Sequence, residues 1–330
     1  MFGLHTALRR IVKHKRIGLV LFGHGVSENN LEEFVCSRGI HINLKELENS
    51  ILYCLSLGFE FITMEQLLDL SEHRFESEHA WMHLTFDDGY ESNYTLLQPL
   101  MHKHQIPWSL FVSTHHAETG NRFFDYVLRC AIFHARVPIS LSGFESCLPA
   151  DAEFSERKRF FDELDYKKLG RAELFNLVEE VRSHLTNDEW RELDQKYPYE
   201  EPISKEHLQS LADDPLVHIG AHCHHHVILN RRTPENVAAE EIVTPKEWLK
   251  NELKIEPQAF CYPNGEVSDF SPTTRRLCIE AGYRMAFTTV SNVVDSRTDS
   301  FEMPRRSIAP TAARTRSKLR RTILRTLKSR

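Results

Sequence analysis

Two adjacent carboxylates, Asp87 and Asp88, stand in the run Thr85-Phe86-Asp87-Asp88-Gly89-Tyr90, directly after an apolar stretch and directly before a glycine. Side chains alternate faces along a strand, but a glycine at the strand's end lets the chain turn sharply, so that both carboxylates can enter one cleft. Two carboxylates this close resist ionising together unless a cation or a proton lies between them. A divalent metal held by one, with the other left as a general base, meets that condition.

Two further clusters extend this chemistry. In Ile219-Gly220-Ala221-His222-Cys223-His224-His225-His226, His222 and His226 are four residues apart and start at the end of a strand-like run. Neutral imidazoles suit zinc and similar borderline metals. With Asp88 they make a set of two histidines and one carboxylate, which leaves coordination positions for water and substrate. His224 and His225 lie in the same run and stay open as alternative ligands. The third cluster is Phe260-Cys261-Tyr262-Pro263-Asn264-Gly265. Its Tyr262, Pro263, Asn264 and Gly265 fit a tight turn that aims a backbone N–H into the cleft, where it would stabilise an oxyanion.

Alternating strand and helix signals must position these groups. Ile17 to Phe22, Phe59 to Ile62, Trp81 to Phe86 and Trp108 to Ser113 read as strands, as do Leu216 to Gly220, Gln258 to Tyr262 and Arg284 to Thr288. Leu44, Leu47, Ile51 and Leu55 have helical spacing, with Gly58 as the stop. Thr63 and Gln66 fit a capping box for a helix over 64–70, and a further helix is expected over 92–104. Thr233-Pro234 and Ser271-Pro272 read as helix starts, an N-cap followed by proline. Alternation of this kind implies a parallel sheet or a β/α barrel, with functional residues at the C-terminal ends of the strands. Residues 121–209 break the rhythm. They read as a helical insertion with charged helices around 155–166 and 171–196 and a helix begun by Ser204.

Composition narrows the class. An apolar content of 41% favours a folded globule over a disordered chain. No apolar stretch approaches the roughly 18 residues of a membrane span. Met1 to Leu8 is too short for a signal peptide, and its basic residues follow the apolar ones instead of preceding them. The seven cysteines are odd in number, scattered and without a CxxC pair, which suggests reduced thiols and a cytoplasmic protein. The net charge is −6, yet residues 311–330 hold eight Lys/Arg and no Asp/Glu. That tail, and the basic segment 1–16, suit either a solvated terminus or an amphipathic contact with an anionic membrane. The acidic body shows no nucleic-acid-binding motif, so no nucleic-acid partner is expected.

Together the three clusters, in this order, resemble the polysaccharide deacetylases of carbohydrate esterase family 4, the NodB-homology domain. Thr85 to Gly89 matches the family's first motif, His222-x-x-x-His226 the second, and Phe260 to Gly265 the third loosely. The resemblance implies an α/β fold, a distorted (β/α) barrel over 17–310, here with the helical insertion and flanked by the basic segments. It implies that Asp87 is the general base, that Asp88, His222 and His226 hold the metal, and that the backbone around Asn264 helps form the oxyanion site. The implied metal is zinc, with cobalt, manganese or nickel as alternatives.

Two positions depart from the common pattern. Cys261 stands where the family's third motif begins with an arginine that steadies the base. No Leu-x-His follows to supply the usual acid. The opening run Leu21-Phe22-Gly23-His24-Gly25-Val26 instead resembles the start of the circularly permuted poly-N-acetylglucosamine deacetylases, which makes His24 the candidate acid. Met303-Pro304-Arg305 is similar to the end of that subgroup, and Arg305 is the candidate replacement for the missing arginine. The implied activity is removal of an N-acetyl group from an amino sugar in surface-glycan or glycolipid biosynthesis, at the inner membrane face. Alternatives are an O-acetyl esterase, a sugar deformylase, or a glycan-binding protein with a decayed site.

Overall fold

Eight parallel strands carry the architecture: β1 (Gly18–Gly23), β2 (Glu60–Phe61), β3 (Trp81–Phe86), β4 (Trp108–Val112), β5 (Val217–Ala221), β6 (Ala259–Cys261), β7 (Met285–Phe287) and β8 (Arg306–Ser307). The computed structural model describes residues 2–14, 17–29, 40–72, 79–308 and 312–328. The strand order is β7-β6-β5-β4-β3-β1-β8, with β2 beside the start of β3. Every residue of β3 and β4 is buried, as expected of central parallel strands covered on both faces. Just before β8, Met303 bridges Phe287 of β7, while Arg306 pairs with Leu21 of β1. One short segment thus joins the two edges, and the sheet curls into a distorted β/α barrel.

Local chemistry explains most element boundaries. The helix Leu44–Leu57 starts on an Asn43 side-chain cap and stops at Gly58, whose φ of 90° is the left-handed conformation glycine adopts freely. Its inward face is Leu47, Ile51, Cys54 and Leu57, whereas Leu55 is exposed, so the apolar stripe drifts by one position from the expected one. The Thr63–Gln66 capping box forms and opens the helix Met64–Ser71. Ser271 caps Pro272–Glu280, but the other expected N-cap does not form. The helix Glu235–Leu253 starts after Pro234, and the Thr233 hydroxyl donates to Ile228 O instead. The expected helix over 92–104 opens with a widened turn at Asn93–Leu97 before Gln98–His104. The charged stretch 171–196 is two helices, Arg171–Arg182 and Asn187–Lys196, because Thr186 forms its own capping box.

The basic termini are structured and docked. The helices Phe2–His14 and Ala312–Lys328 pack on one another and on Leu44–Leu57. Leu8, Val12, Leu319 and Ile323 join the main core, and Arg9, Arg10, Lys13, Arg321 and Arg325 face solvent. Leu8, Val12, Leu319 and Ile323 are therefore committed to protein, while Leu4 and Leu324 stay exposed beside the basic residues. Six cysteines are free thiols, and Cys36 lies outside the described residues. Among the described residues no helix is long and apolar enough to cross a membrane.

The docking of the last helix makes a measurable prediction. Ile323→Ala removes a fully buried side chain and should cost about 2–5 kcal/mol in urea unfolding. A loss below about 0.5 kcal/mol, the ordinary surface range, would mean that the helix does not dock in solution.

Candidate active site

The strand β3 delivers Asp87 and Asp88 to the barrel's C-terminal end, and the turn that follows separates them. Asp88 has a φ of 75° and Gly89 of 91°, so the chain reverses direction across the pair. A Cβ at Gly89 would press on Val112 and Ile203 at 3.2 and 3.3 Å, which adds a steric reason for glycine there. The Asp88 carbonyl accepts from Ser113 N, tying the turn to the end of β4.

Asp87 faces the barrel interior and meets Arg305. The two oxygens of Asp87 accept from Nη1 and Nη2 of Arg305, each at 2.7 Å. Arg305 Nη1 also donates to Thr85 Oγ1 at 2.9 Å, Nη2 to Cys261 Sγ at 2.9 Å, and Nε to the Thr288 carbonyl at 2.9 Å. Arg305 is wholly buried, and its guanidinium lies 4.7 Å from the centre of the Phe22 ring. Burial works against the Asp87 charge, but Arg305, His222 and His24 outweigh it, and its pKa lies below the ordinary carboxylate value. Burial also pushes the Cys261 thiol well up, so its sulfur stays protonated beside the arginine. The departure at Cys261 and the arginine just before β8 are thus one arrangement: the small sulfur leaves room for the Arg305 guanidinium.

Asp88 faces the other way, toward the histidines. Its Oδ1 lies 3.3 Å from His222 Nε2 and 3.0 Å from His226 Nε2. His222 Nδ1 bonds the Cys261 carbonyl at 2.8 Å, which fixes the proton on Nδ1 and turns the Nε2 lone pair toward Asp88. One donor atom from each of Asp88, His222 and His226 lies within 4.8 Å of the other two. Asp88 Oδ1 is buried and has no hydrogen bond of acceptable geometry, although two imidazole nitrogens surround it. An orphaned carboxylate oxygen with imidazole nitrogens at 3.0 and 3.3 Å fits a divalent cation, and these three residues would hold it.

A cleft of about 590 Å³ opens over these groups, lined by His24, Asp87, Asp88, His222, His226 and Arg305. His24 stands at the end of β1, and its backbone carbonyl accepts from Asn93 Nδ2. Burial lowers its pKa, against the opposing pull of Asp88 and Asp87. Of the turn Tyr262 to Gly265, only Asn264 lines the cleft. Tyr262 spends its N–H on the Phe287 carbonyl and its hydroxyl on Phe301 O. Gly265 N–H bonds Pro263 O within the turn, whereas Asn264 N–H has no protein acceptor among the described residues.

A family model for polysaccharide deacetylases matches residues 76–143 and 151–286. The chain belongs to the polysaccharide deacetylase family. Among curated proteins no sequence matches it significantly. Its fold is shared by solved structures of low identity. IcaB from Ammonifex degensii is 17% identical with a TM-score of 0.61, covering 94% of this chain and 97% of that one. PplD, a Streptococcus pyogenes deacetylase solved with acetate, is 14% identical with a TM-score of 0.60, covering 93% and 98%. The deacetylase domain of BpsB from Bordetella bronchiseptica is 16% identical with a TM-score of 0.54, covering 88% and 96%.

Within this deacetylase, two contributions to the site have no motif in the sequence. The first is the segment read as an insertion, most of which the family match spans. It supplies Phe123, Phe124, Asp125, Tyr166 and Leu174 to the cleft wall, so it shapes the site as well as decorating the barrel. The run Phe123-Phe124-Asp125-Tyr126 was the available signal. The second is Glu241, buried on the helix Glu235–Leu253. Its Oε2 accepts from Cys223 Sγ and from the backbone N–H groups of His224 and His225, and its Oε1 from His225 Nδ1 and Arg171. Burial opposes its charge, but His225 and Arg171 outweigh it and hold its pKa at about 2. Glu241 therefore anchors the loop that carries His222 and His226, from a helix with no telling pattern.

The Arg305–Asp87 fork predicts a non-additive pair. Arg305→Ala leaves a buried carboxylate without its partner and should cost about 3–5 kcal/mol of stability. Adding Asp87→Asn in that background should recover part of the loss in urea unfolding. Strictly additive losses would mean that the two side chains are not coupled.

Proposed function

We propose that this protein is a metal-dependent deacetylase that removes N-acetyl groups from an amino sugar of a surface glycan or its precursor. The observation that carries the reading is the split of the aspartate pair, with Asp87 gripped by Arg305 and Asp88 turned to two histidine nitrogens at the floor of one cleft. A divalent metal, zinc in our reading, would be held by Asp88, His222 and His226 and would polarise the acetyl carbonyl and acidify a water.

The chain's own residues supply the proton chemistry. Asp87, kept ionised by Arg305, takes a proton from the attacking water as the new carbon–oxygen bond forms. Asn264 lines the cleft and its N–H has no acceptor among the described residues, which supports it as the donor to the developing oxyanion. His24 gives a proton to the nitrogen as the carbon–nitrogen bond breaks, leaving acetate and a free sugar amine. Burial disfavours the charged form of His24, and Asp88 and Asp87 oppose that effect, so its protonated form depends on the two carboxylates beside it. Phe123, Phe124 and Tyr166 give the cleft apolar faces on which sugar rings stack.

The test is acetate release from N-acetylglucosamine oligomers. Asp87→Asn and His222→Ala should each lower the rate at least about 100-fold, and His24→Ala should slow it by a similar order. Release unaffected by Asp87→Asn or His222→Ala would overturn the mechanism. Removal of divalent ions should abolish release, and zinc, cobalt, manganese or nickel should be compared in restoring it. Formate release from N-formyl sugars, or acetate release only from O-acetyl sugars, would move the assignment to the related hydrolases. Intact metal uptake with no hydrolysis of any acyl sugar would favour a binding protein.

A lipid-linked substrate at an anionic cytoplasmic membrane surface is our reading of the basic helices. Lys318 of Ala312–Lys328 lines the cleft, so the exposed basic face and the site share one rim. Such residues contribute about 1 kcal/mol each near an anionic bilayer. The protein should float with anionic liposomes and not with zwitterionic ones, and Arg10→Glu/Arg321→Glu/Arg325→Glu should abolish flotation. Charge reversal is the right variant because truncation would also remove the buried Leu319 and Ile323. No flotation, or flotation insensitive to these changes, would remove the membrane from the proposal.

A further inference from the structure

The loop that carries the metal-site histidines has a second side. His224 and His225 are consecutive, yet neither lines the cleft that His222 and His226 enter. Positive φ angles at Cys223 (69°) and His226 (56°) turn the chain between the two pairs. On its outer side the loop meets His115, on the short helix Thr114–Thr119, whose backbone N–H donates to the His224 carbonyl at 2.9 Å. The three rings crowd together, with centroids 5.6 Å apart for His115–His224, 4.7 Å for His115–His225 and 4.3 Å for His224–His225. One ring nitrogen from each lies within 4.8 Å of the other two.

The outer hydrogen bonds are those of metal ligands. His225 Nδ1 bonds Glu241 Oε1 at 2.8 Å, and His224 Nδ1 bonds the buried Thr114 Oγ1 at 2.8 Å. The carboxylate accepts from His225 Nδ1–H and leaves its Nε2 open, and the Thr114 hydroxyl holds the His224 ring in place. The His115 ring has no hydrogen-bond partner among the described residues. All three residues are half-buried, so an ion can reach them.

We propose that His115, His224 and His225 form a second zinc site, outside the cleft, that clamps the histidine loop to the helix Thr114–Thr119. Three imidazoles with an open fourth position taken by water are a sufficient zinc donor set. Its role is structural: an ion there holds the strained loop whose other face presents His222 and His226.

Metal-free protein is dialysed against zinc and the bound metal counted by mass spectrometry. About two zinc ions per chain are expected. His115→Ala/His224→Ala should retain about one, Asp88→Ala/His226→Ala about one, and the combination none. Circular dichroism of each metal-free variant controls for folding. Thr114→Val, which leaves all three ligands in place, should weaken zinc binding at this site about 10–100-fold. Cobalt bound to Asp88→Ala/His226→Ala should give the visible bands of a four-coordinate ion, and these should be missing once His115 and His224 are also replaced. No zinc in Asp88→Ala/His226→Ala, or equal uptake by the wild type and His115→Ala/His224→Ala, overturns the proposal. If His115→Ala/His224→Ala binds none while Asp88→Ala/His226→Ala still binds one, the second site stands and the cleft reading fails.

Discussion

The buried fork between Arg305 and Asp87 is the constraint on which the architecture turns. A guanidinium in a barrel interior loses its hydration and tolerates burial only if its donors are all used. Arg305 has five N–H donors, and each finds an acceptor: both oxygens of Asp87, Thr85 Oγ1, the Thr288 carbonyl and Cys261 Sγ. Those acceptors come from β3, β6 and the end of β7. The arginine therefore ties three strands to β8, which is only two residues long and has little backbone pairing of its own. Barrel closure and the ionisation of the proposed base rest on the same contact.

Much of this was legible in the sequence, for physical reasons that differ by residue. Trp81 to Phe86 could be read because a strand buried on both faces is mostly apolar, with its polar members His83 and Thr85 hydrogen-bonded, and the Thr63–Gln66 cap because it is a local pattern with a local function. The aspartate pair and the spaced histidines were visible because their chemistry is carried by residue type. The Arg305 fork, by contrast, spans 218 residues, and only the resemblance at the chain's end brought Arg305 into consideration. Glu241 was invisible because an exposed and a buried glutamate look alike on a helix, and here Glu240 and Glu241 are neighbours with opposite fates. The docked termini were ambiguous for a related reason. Leu319 and Ile323 make a stripe whose period announces a partner surface, but the period does not say whether that surface is lipid or protein.

In the wall built by residues 121–209 the run Phe123-Phe124-Asp125-Tyr126 was the only local hint of function. Helical, charged sequence is what any solvated surface segment shows. Only in three dimensions do Phe123, Phe124 and Tyr166 turn toward the aspartates, while Asp125 pairs with Arg129 behind them. A binding surface assembled from such a segment can vary without touching the catalytic clusters.

Strain gives the last link between fold and site. Among the described residues seven non-glycine positions have positive φ, and four of them, Asp88, Cys223, His226 and Asn264, belong to the three clusters that meet in the cleft. Such conformations cost about 1–3 kcal/mol each and persist only where the surroundings over-determine them. The surroundings do so at each position. Ser113 N holds Asp88, Glu241 holds Cys223 together with the backbone that leads to His226, and Asn264 is gripped through its side chain by Asp269 and Lys167. Left to local preference, none of these residues would point where it does. These hydrogen bonds hold the carboxylates, the imidazoles and Asn264 around one cleft. A site assembled in this way loses little entropy when a ligand arrives, and more of the binding energy is left for the reaction itself.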